Sequence, residues 1–156
     1  MNTRSFLTLA IVSLLLAPVT HLSAEIKAPK GFTSLFNGKD LSNWYGWTTK
    51  NPEELWKLSA EEQKAYKDES RKDINEHWSI DGDVIVNDGH GLYLTTEKEF
   101  SDYELLIDYK TVPKADSGIY LKGVPQVQIW DYTDPDKFSI GGDKGSGGLW
   151  NNSKGA

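Results

Sequence analysis

The sequence predicts an all-β protein, an antiparallel β-sandwich or jelly roll, carrying one helical insertion near residues 52–75. Three observations carry this. From Trp78 onward apolar residues recur with period two between glycine-rich turns at short spacing, the pattern of half-buried antiparallel strands. Prolines stand between these runs rather than inside them, as strand interiors require. Residues 51–75 break the period and are rich in Glu, Lys, Gln and Ala, which favour helix.

Taken in order, residues 1–24 read as a secretory leader. Arg4 supplies a short positive start, residues 6–17 form a mostly apolar run, Pro18 ends it, and Ser23 and Ala24 suit a cleavage site. The run is too short to span a bilayer. The mature chain, residues 25–156, is therefore expected to be exported, periplasmic or extracellular, with no membrane span left after cleavage. In residues 31–46, Phe32, Leu35 and Phe36 suggest a short first strand, Asn37 and Gly38 a turn, and Leu41 and Trp44 packing back onto the sheet. Asn51, Pro52 and Glu54 then fit a helix start, and Ser59 with Glu62 a second one. One short and one longer helix are expected. Their apolar stripe (Leu55, Leu58, Ala65, Tyr66, Ile74) is thin, so the insertion should lie on the surface.

Trp78 and Ile80 precede the turn signal Asp81 and Gly82, and Val84 and Val86 follow it, so a hairpin is expected. Leu92 and Leu94 alternate with Tyr93 and Thr95 beyond a second turn at residues 87–91. Residues 103–112 give the clearest strand pattern, with Tyr103, Leu105, Ile107 and Tyr109 on one face and Glu104, Asp108 and Lys110 on the other. Residues 116–131 read as two more strands joined at Gly123, Val124 and Pro125. Ile119, Val127 and Ile129 belong to the core face; Tyr120, Lys122, Gln126, Gln128 and Trp130 face the other way. Amides, a phenol and an indole suit a ligand of hydroxyls and apolar C–H patches, such as a saccharide. The same face also reads as ordinary solvated sheet surface, and its carboxylates and ammonium groups fit either acid–base work or cross-strand ion pairs.

Bulk properties narrow the partners. The chain has 156 residues and a net charge of −6. Without a basic stripe, it argues against nucleic acid or an anionic membrane surface. It has no cysteine, which excludes disulfides, thiolate metal sites and lipidation through a cysteine. Aromatic residues make up 12%, more than a core of this size needs.

Seven short motifs in order (G-F-T-S-L-F-N-G-K-D-L-S-N-W, W-S-I-D-G-D, G-L-Y-L-T-T, S-D-Y-E-L, A-D-S-G-I-Y-L-K-G, P-Q-V-Q-I-W-D and G-S-G-G-L-W-N-N) resemble the 3-keto-disaccharide hydrolase domain family. The resemblance runs from residue 31 to about residue 152 and implies a jelly roll similar to concanavalin A-like lectins and glucanases. It also implies action on glycosides already oxidised at C3. A ketone at C3 acidifies the C2 proton, so a base can remove it, the C1 substituent can leave, and water can add, for net hydrolysis. Such a site needs a base, an enolate stabiliser and an acid for the leaving group. The family continues for several more strands, so the chain is expected to be the N-terminal part of one such domain, with the C-terminal strands missing.

The resemblance makes residues 116–131 the floor of a saccharide cleft. The expected catalytic residues are Asp116, Asp131 and Lys122. The expected saccharide-binding residues are Glu104, Tyr120, Gln126, Gln128, Trp130, Trp150 and Asn151. No clear metal motif is present, and a divalent cation near Asp131, Asp134 or Asp136 is one way to stabilise an enolate. Two positions depart from the family pattern. Gln126 stands where many members carry glutamate, and an amide takes up no proton near neutral pH. Lys122 stands where arginine is frequent, which keeps the charge but loses the planar fork. A keto-glycoside hydrolase or lyase, a lectin-like binding module and an architectural domain with a merely solvated face all follow from these residues.

Overall fold

Local side-chain chemistry decides how the chain enters the fold in the computed structural model, which describes residues 27–123 and 125–150. The expected strand at Phe32, Leu35 and Phe36 does not form. Instead Asn37 Oδ1 accepts the backbone N–H groups of Lys39 and Asp40, at 2.8 and 3.0 Å, and its amide donates to Asp40 Oδ1 at 2.8 Å. A short amide side chain here replaces a strand ladder with a turn. The expected leader, residues 1–24, lies outside the described residues, as does Asn151.

The first strand, β1 (Trp44–Trp47), is followed by α1 (Glu53–Trp56) and α2 (Ala60–His77), then β2 (Trp78–Asp81), β3 (Val84–Asn87) and β4 (Tyr93–Thr96). The two helices begin at the predicted caps. Asn51 Oδ1 accepts the Glu53 N–H at 3.1 Å. Ser59 Oγ accepts the Glu62 N–H at 3.2 Å, while Glu62 Oε2 accepts the Ser59 N–H at 2.9 Å, a complete capping box.

The insertion does more than lie on the surface. Its Leu55 and Ile74, 2% and 1% exposed, are the most completely buried large side chains among the described residues. Helix α2 packs along β1, which pairs antiparallel with β4 from Trp44↔Thr96 to Trp47↔Tyr93. Gly46 makes the close approach possible: a Cβ there would stand 2.7 Å from Leu92 Cδ1 and 3.3 Å from Ile74 Cγ1. The helix also covers the free edge of β1. Ser70 Oγ accepts the Gly46 N–H at 3.0 Å, and Arg71 Nε donates to the Trp44 carbonyl at 3.1 Å, satisfying groups an exposed edge would leave open. Lys67 pairs with Glu97 at 2.9 Å, and Arg71 reaches the same carboxylate. A thin stripe sufficed because the helix uses polar side chains to dock.

Strands β2 and β3 form the predicted hairpin, with Asp81 opposite Val84 and Gly82 at positive φ in the two-residue turn. Residues 103–112, the clearest strand in the sequence, form no strand. The backbone there has no ladder partner among the described residues, and most of its apolar side chains stay open, Val112 at 68% exposure, with Leu105 only half-buried. Alternation encodes a strand only where a neighbour supplies the other half of the hydrogen bonds.

The last two strands, β5 (Asp116–Tyr120) and β6 (Gln126–Trp130), pair antiparallel as expected. Two 3-10 helices, Pro135–Ile140 and Gly142–Lys144, follow. The chain then runs back along β6. Gln128 donates its N–H to the Gly148 carbonyl at 2.8 Å, Val127 bridges Leu149, and the Trp150 N–H reaches the Gln126 carbonyl at 2.9 Å. The described residues therefore hold three two-stranded antiparallel sheets, a β-rich fold with one docked helical insertion.

Candidate functional site

Register, rather than proximity in sequence, assembles the candidate face. Opposite pairs across β5 and β6 are Asp116↔Trp130, Gly118↔Gln128 and Tyr120↔Gln126. Directly opposed residues share a face, so Asp116, Tyr120, Gln126, Gln128 and Trp130 lie together, as the alternation required. Ser117, Ile119, Val127 and Ile129 take the other side. Gly118 is what lets the amides lie across the strand: a Cβ there would collide with the Gln126 side chain. Trp150, opposite Gln126 on the returning chain, brings its ring to 5.9 Å from the Trp130 ring.

The face has two ends. At the open end of the hairpin, Gln128 Nε2 donates to Asp116 Oδ1 at 3.1 Å. Lys137, carried in by the first 3-10 helix, donates from Nζ to Asp116 Oδ2 at 2.5 Å. Its Nζ also stands 6.0 Å from the centre of the Trp130 ring, within cation–π range. The hydrogen bond and charge of Asp116 push the Lys137 ammonium above its ordinary pKa, so it stays protonated. The amide of Gln128 is oriented without ambiguity, because a carboxylate only accepts and Nε2 must face it. Its Oε1 is then buried with no donor among the described residues, the residue being 4% exposed. An acceptor left in that state costs about 1–3 kcal/mol.

At the turn end, about 14 Å away at about 3.4 Å per residue, Tyr120 stacks on Tyr93 of β4 with ring centres 5.4 Å apart and planes 20° from parallel. Burial, then the neighbouring Tyr93 phenol, raises the Tyr120 hydroxyl above its usual pKa, so it remains a neutral donor. The helical insertion borders this end. Pro52 occupies the space a side chain at Gly123 would need.

Three predicted residues stand apart from this cluster. Lys122 sits exposed in the turn at φ 54, at the opposite end of the strand from Asp116. Glu104 is exposed in the segment without strand pairing. Asp131 is held by its own loop: its carboxylate accepts from Thr133 Oγ1 at 2.6 Å, the Thr133 N–H at 3.0 Å and the Lys114 N–H at 2.7 Å. These donors, Thr133 first, draw its pKa below the ordinary carboxylate value, which weakens it as a base. Asp134 caps the first 3-10 helix by accepting the Asp136 N–H at 3.2 Å, and Asp136 pairs with Lys114 at 3.4 Å. Among the described residues no three His, Asp or Glu side chains converge in a metal-ligating arrangement.

Sequence reasoning missed Lys137 and Tyr93. For Lys137 the run Asp134, Pro135, Asp136, Lys137 was the available signal, since a cap followed by Pro marks a helical turn that would swing the lysine back. Tyr93 is carried by another sheet, which no local pattern reveals.

No helix of the described residues is long and apolar enough to cross a membrane. Residues 31–156 match the 3-keto-alpha-glucoside-1,2-lyase-like domain family. No curated protein and no solved structure matches the chain.

Proposed function

The chain belongs to the 3-keto-alpha-glucoside-1,2-lyase-like family, and from that membership we propose an exported carbohydrate-active enzyme that cleaves glycosides oxidised at C3. The observation that carries it is the gathering of Asp116, Gln126, Gln128, Trp130 and Trp150 on one face of the β5–β6 hairpin. The exposed Trp150 indole, backed by the buried Trp130, offers stacking surface for the C–H face of a sugar ring, and the half-buried Gln126 amide can read its hydroxyls. The fold proposed for the whole domain is an antiparallel sandwich of the concanavalin A-like type, in which this face floors the cleft. The antiparallel pairing of each described sheet supports it.

In the proposed reaction Asp116 is the base. It takes the proton from C2, and the electron pair moves into a C2–C3 double bond with the charge on the C3 oxygen. That enolate collapses to restore the ketone, a C1–C2 double bond forms, and the C1–O bond breaks. The departing oxygen takes a proton, and addition of water across C1–C2 completes net hydrolysis. Gln126 holds a ring hydroxyl, and Gln128 orients Asp116 from below through Nε2. Lys122, Glu104 and Asn151 remain proposed saccharide contacts, and Asp131 ties Lys114 to Thr133 in its loop.

One observation favours a second reading, a lectin-like binding module: Gln126 brings an amide where many members carry a carboxylate. Incubation with a 3-keto-glycoside of a chromogenic alcohol separates the two. The enzyme reading expects release of the alcohol from the keto-glycoside and none from the unoxidised parent. Saturable binding of both sugars without release rejects catalysis in favour of the binding module.

A further inference from the structure

We propose that Lys137 is the group that recognises the C3 ketone and stabilises the enolate, and that it does so by exchanging partners, from Asp116 to the substrate. This deepens the reaction proposed above and rests on it for the identity of the substrate.

The argument starts from adjacency. Elimination across C1–C2 requires a base at the C2 proton and a positive charge or donor at the oxygen on C3. Those two atoms sit on neighbouring carbons, so the two protein groups must be neighbours as well. Asp116 Oδ2 and Lys137 Nζ are 2.5 Å apart. The other cation predicted for the site, Lys122, lies at the far end of the strand, and the ammonium of Lys137 is the one seated between the carboxylate and the Trp130 indole.

The free state is also a resting state. Each oxygen of Asp116 accepts one hydrogen bond, Oδ1 from Gln128 Nε2 and Oδ2 from Lys137 Nζ, and each keeps a second lone pair. A ketone oxygen that draws Lys137 away releases the bonded lone pair of Oδ2 and leaves the ammonium beside the C3 oxygen while the carboxylate stays at C2. The ammonium then meets a charge that develops on the C3 oxygen during proton removal, which is where preorganised donors matter most.

The polarity of Lys137 favours a ketone. Its ammonium only donates, which suits a ketone oxygen that only accepts, whereas a C3 hydroxyl brings an O–H that Lys137 cannot satisfy. Gln128, buried and bonded through Nε2 to Asp116 Oδ1, holds the carboxylate in place beside it.

The test measures binding preference as well as turnover, using quenching of tryptophan fluorescence by a 3-keto-glycoside and by its unoxidised parent. The wild-type protein should bind the keto-sugar more tightly. Lys137→Met should erase that preference while leaving affinity for the parent sugar within about threefold, and should lower kcat about 100-fold or more, as loss of one oxyanion donor does. Lys137→Arg, which restores the donor, should recover most of the preference and serves as the check that the position tolerates change. A preference for the ketone that survives in a folded Lys137→Met protein overturns the proposal, as does a wild-type protein that binds both sugars equally. Preferential binding lost in Lys137→Met, in a protein that releases no alcohol, supports ketone recognition by Lys137 and rejects the enzymatic reading instead.

Discussion

Helix α2 and residues 103–112 carry opposite lessons about what holds this chain together. The helix looks weak on paper: thinly apolar, heavily charged, read as a surface insert. It nevertheless contributes Ile74 to the core and closes the edge of β1 through Ser70 and Arg71. The segment 103–112 looks strong, with Tyr103, Leu105, Ile107 and Tyr109 alternating onto one face, and it leaves Ile107 and Tyr109 exposed. A helix satisfies its backbone from within and needs only one docking face. A strand satisfies nothing until a neighbour lies beside it. Pattern strength therefore does not rank elements by how much they stabilise the protein.

The sharpest way to break that contrast is the same substitution in both regions. Ile74→Ala should cost about 3 kcal/mol in urea unfolding, the usual effect of deleting a fully buried branched side chain. Ile107→Ala should change stability by no more than about 0.5 kcal/mol, as exposed positions do. Equal losses at the two sites would show that residues 103–112 are packed in solution and would end the comparison.

A smaller effect tests whether the helix start contributes as its geometry says. Ser59→Ala removes the acceptor for the Glu62 N–H and should cost about 1 kcal/mol, read from the same unfolding curves. Preserved stability would mean that water replaces the cap without loss.

The smallest effect lies at the other end of α2. His77 Nδ1 meets Asp88 Oδ2 at 3.0 Å. That hydrogen bond, with the Asp88 charge, raises the His77 pKa above 6.5 and lowers that of Asp88 below 3.8. A raised histidine contributes stability that is whole below its unfolded value and lost as pH climbs through the folded one. A depressed aspartate contributes stability that is lost as pH falls through its own folded value. The pair therefore acts between roughly the two ordinary values, from about 4 to above 6.5. Asp88→Asn should lower Tm more at pH 6 than at pH 9, and an equal drop at both would rule out the charged pair.

Much of the architecture was legible because its signals are local. The Ser59–Glu62 box, the Gly82 turn and the β5–β6 hairpin with its polar face all depend on residues a few positions apart, and all formed where the residues said. What was not legible depends on distance along the chain. Gly46 accommodates Leu92 and Ile74; Tyr93 reaches Tyr120 from another sheet; Lys137 returns to Asp116 across 21 positions. Phe32, Leu35 and Phe36 failed for the reason residues 103–112 did: no strand lies beside them among the described residues. At the site, alternation alone identified Tyr120, Gln126, Gln128 and Trp130 as companions. Alternation also put Lys122 on that face, but β5 ends at Tyr120 and Lys122 sits in the turn at φ 54, and chemical type could not reveal that Asp131 would bind its own loop.

The central claim is that the face holding Asp116 removes a proton from the carbon beside a sugar ketone. Solvent deuterium entering C2 of a 3-keto-glycoside, followed by NMR, reports that step whether or not the alcohol leaves. The wild-type protein should catalyse the exchange, and Asp116→Asn, with its fold verified by circular dichroism, should slow it at least about 100-fold, the usual contribution of a positioned base. Exchange at the wild-type rate in Asp116→Asn would contradict the account and move the base off this face.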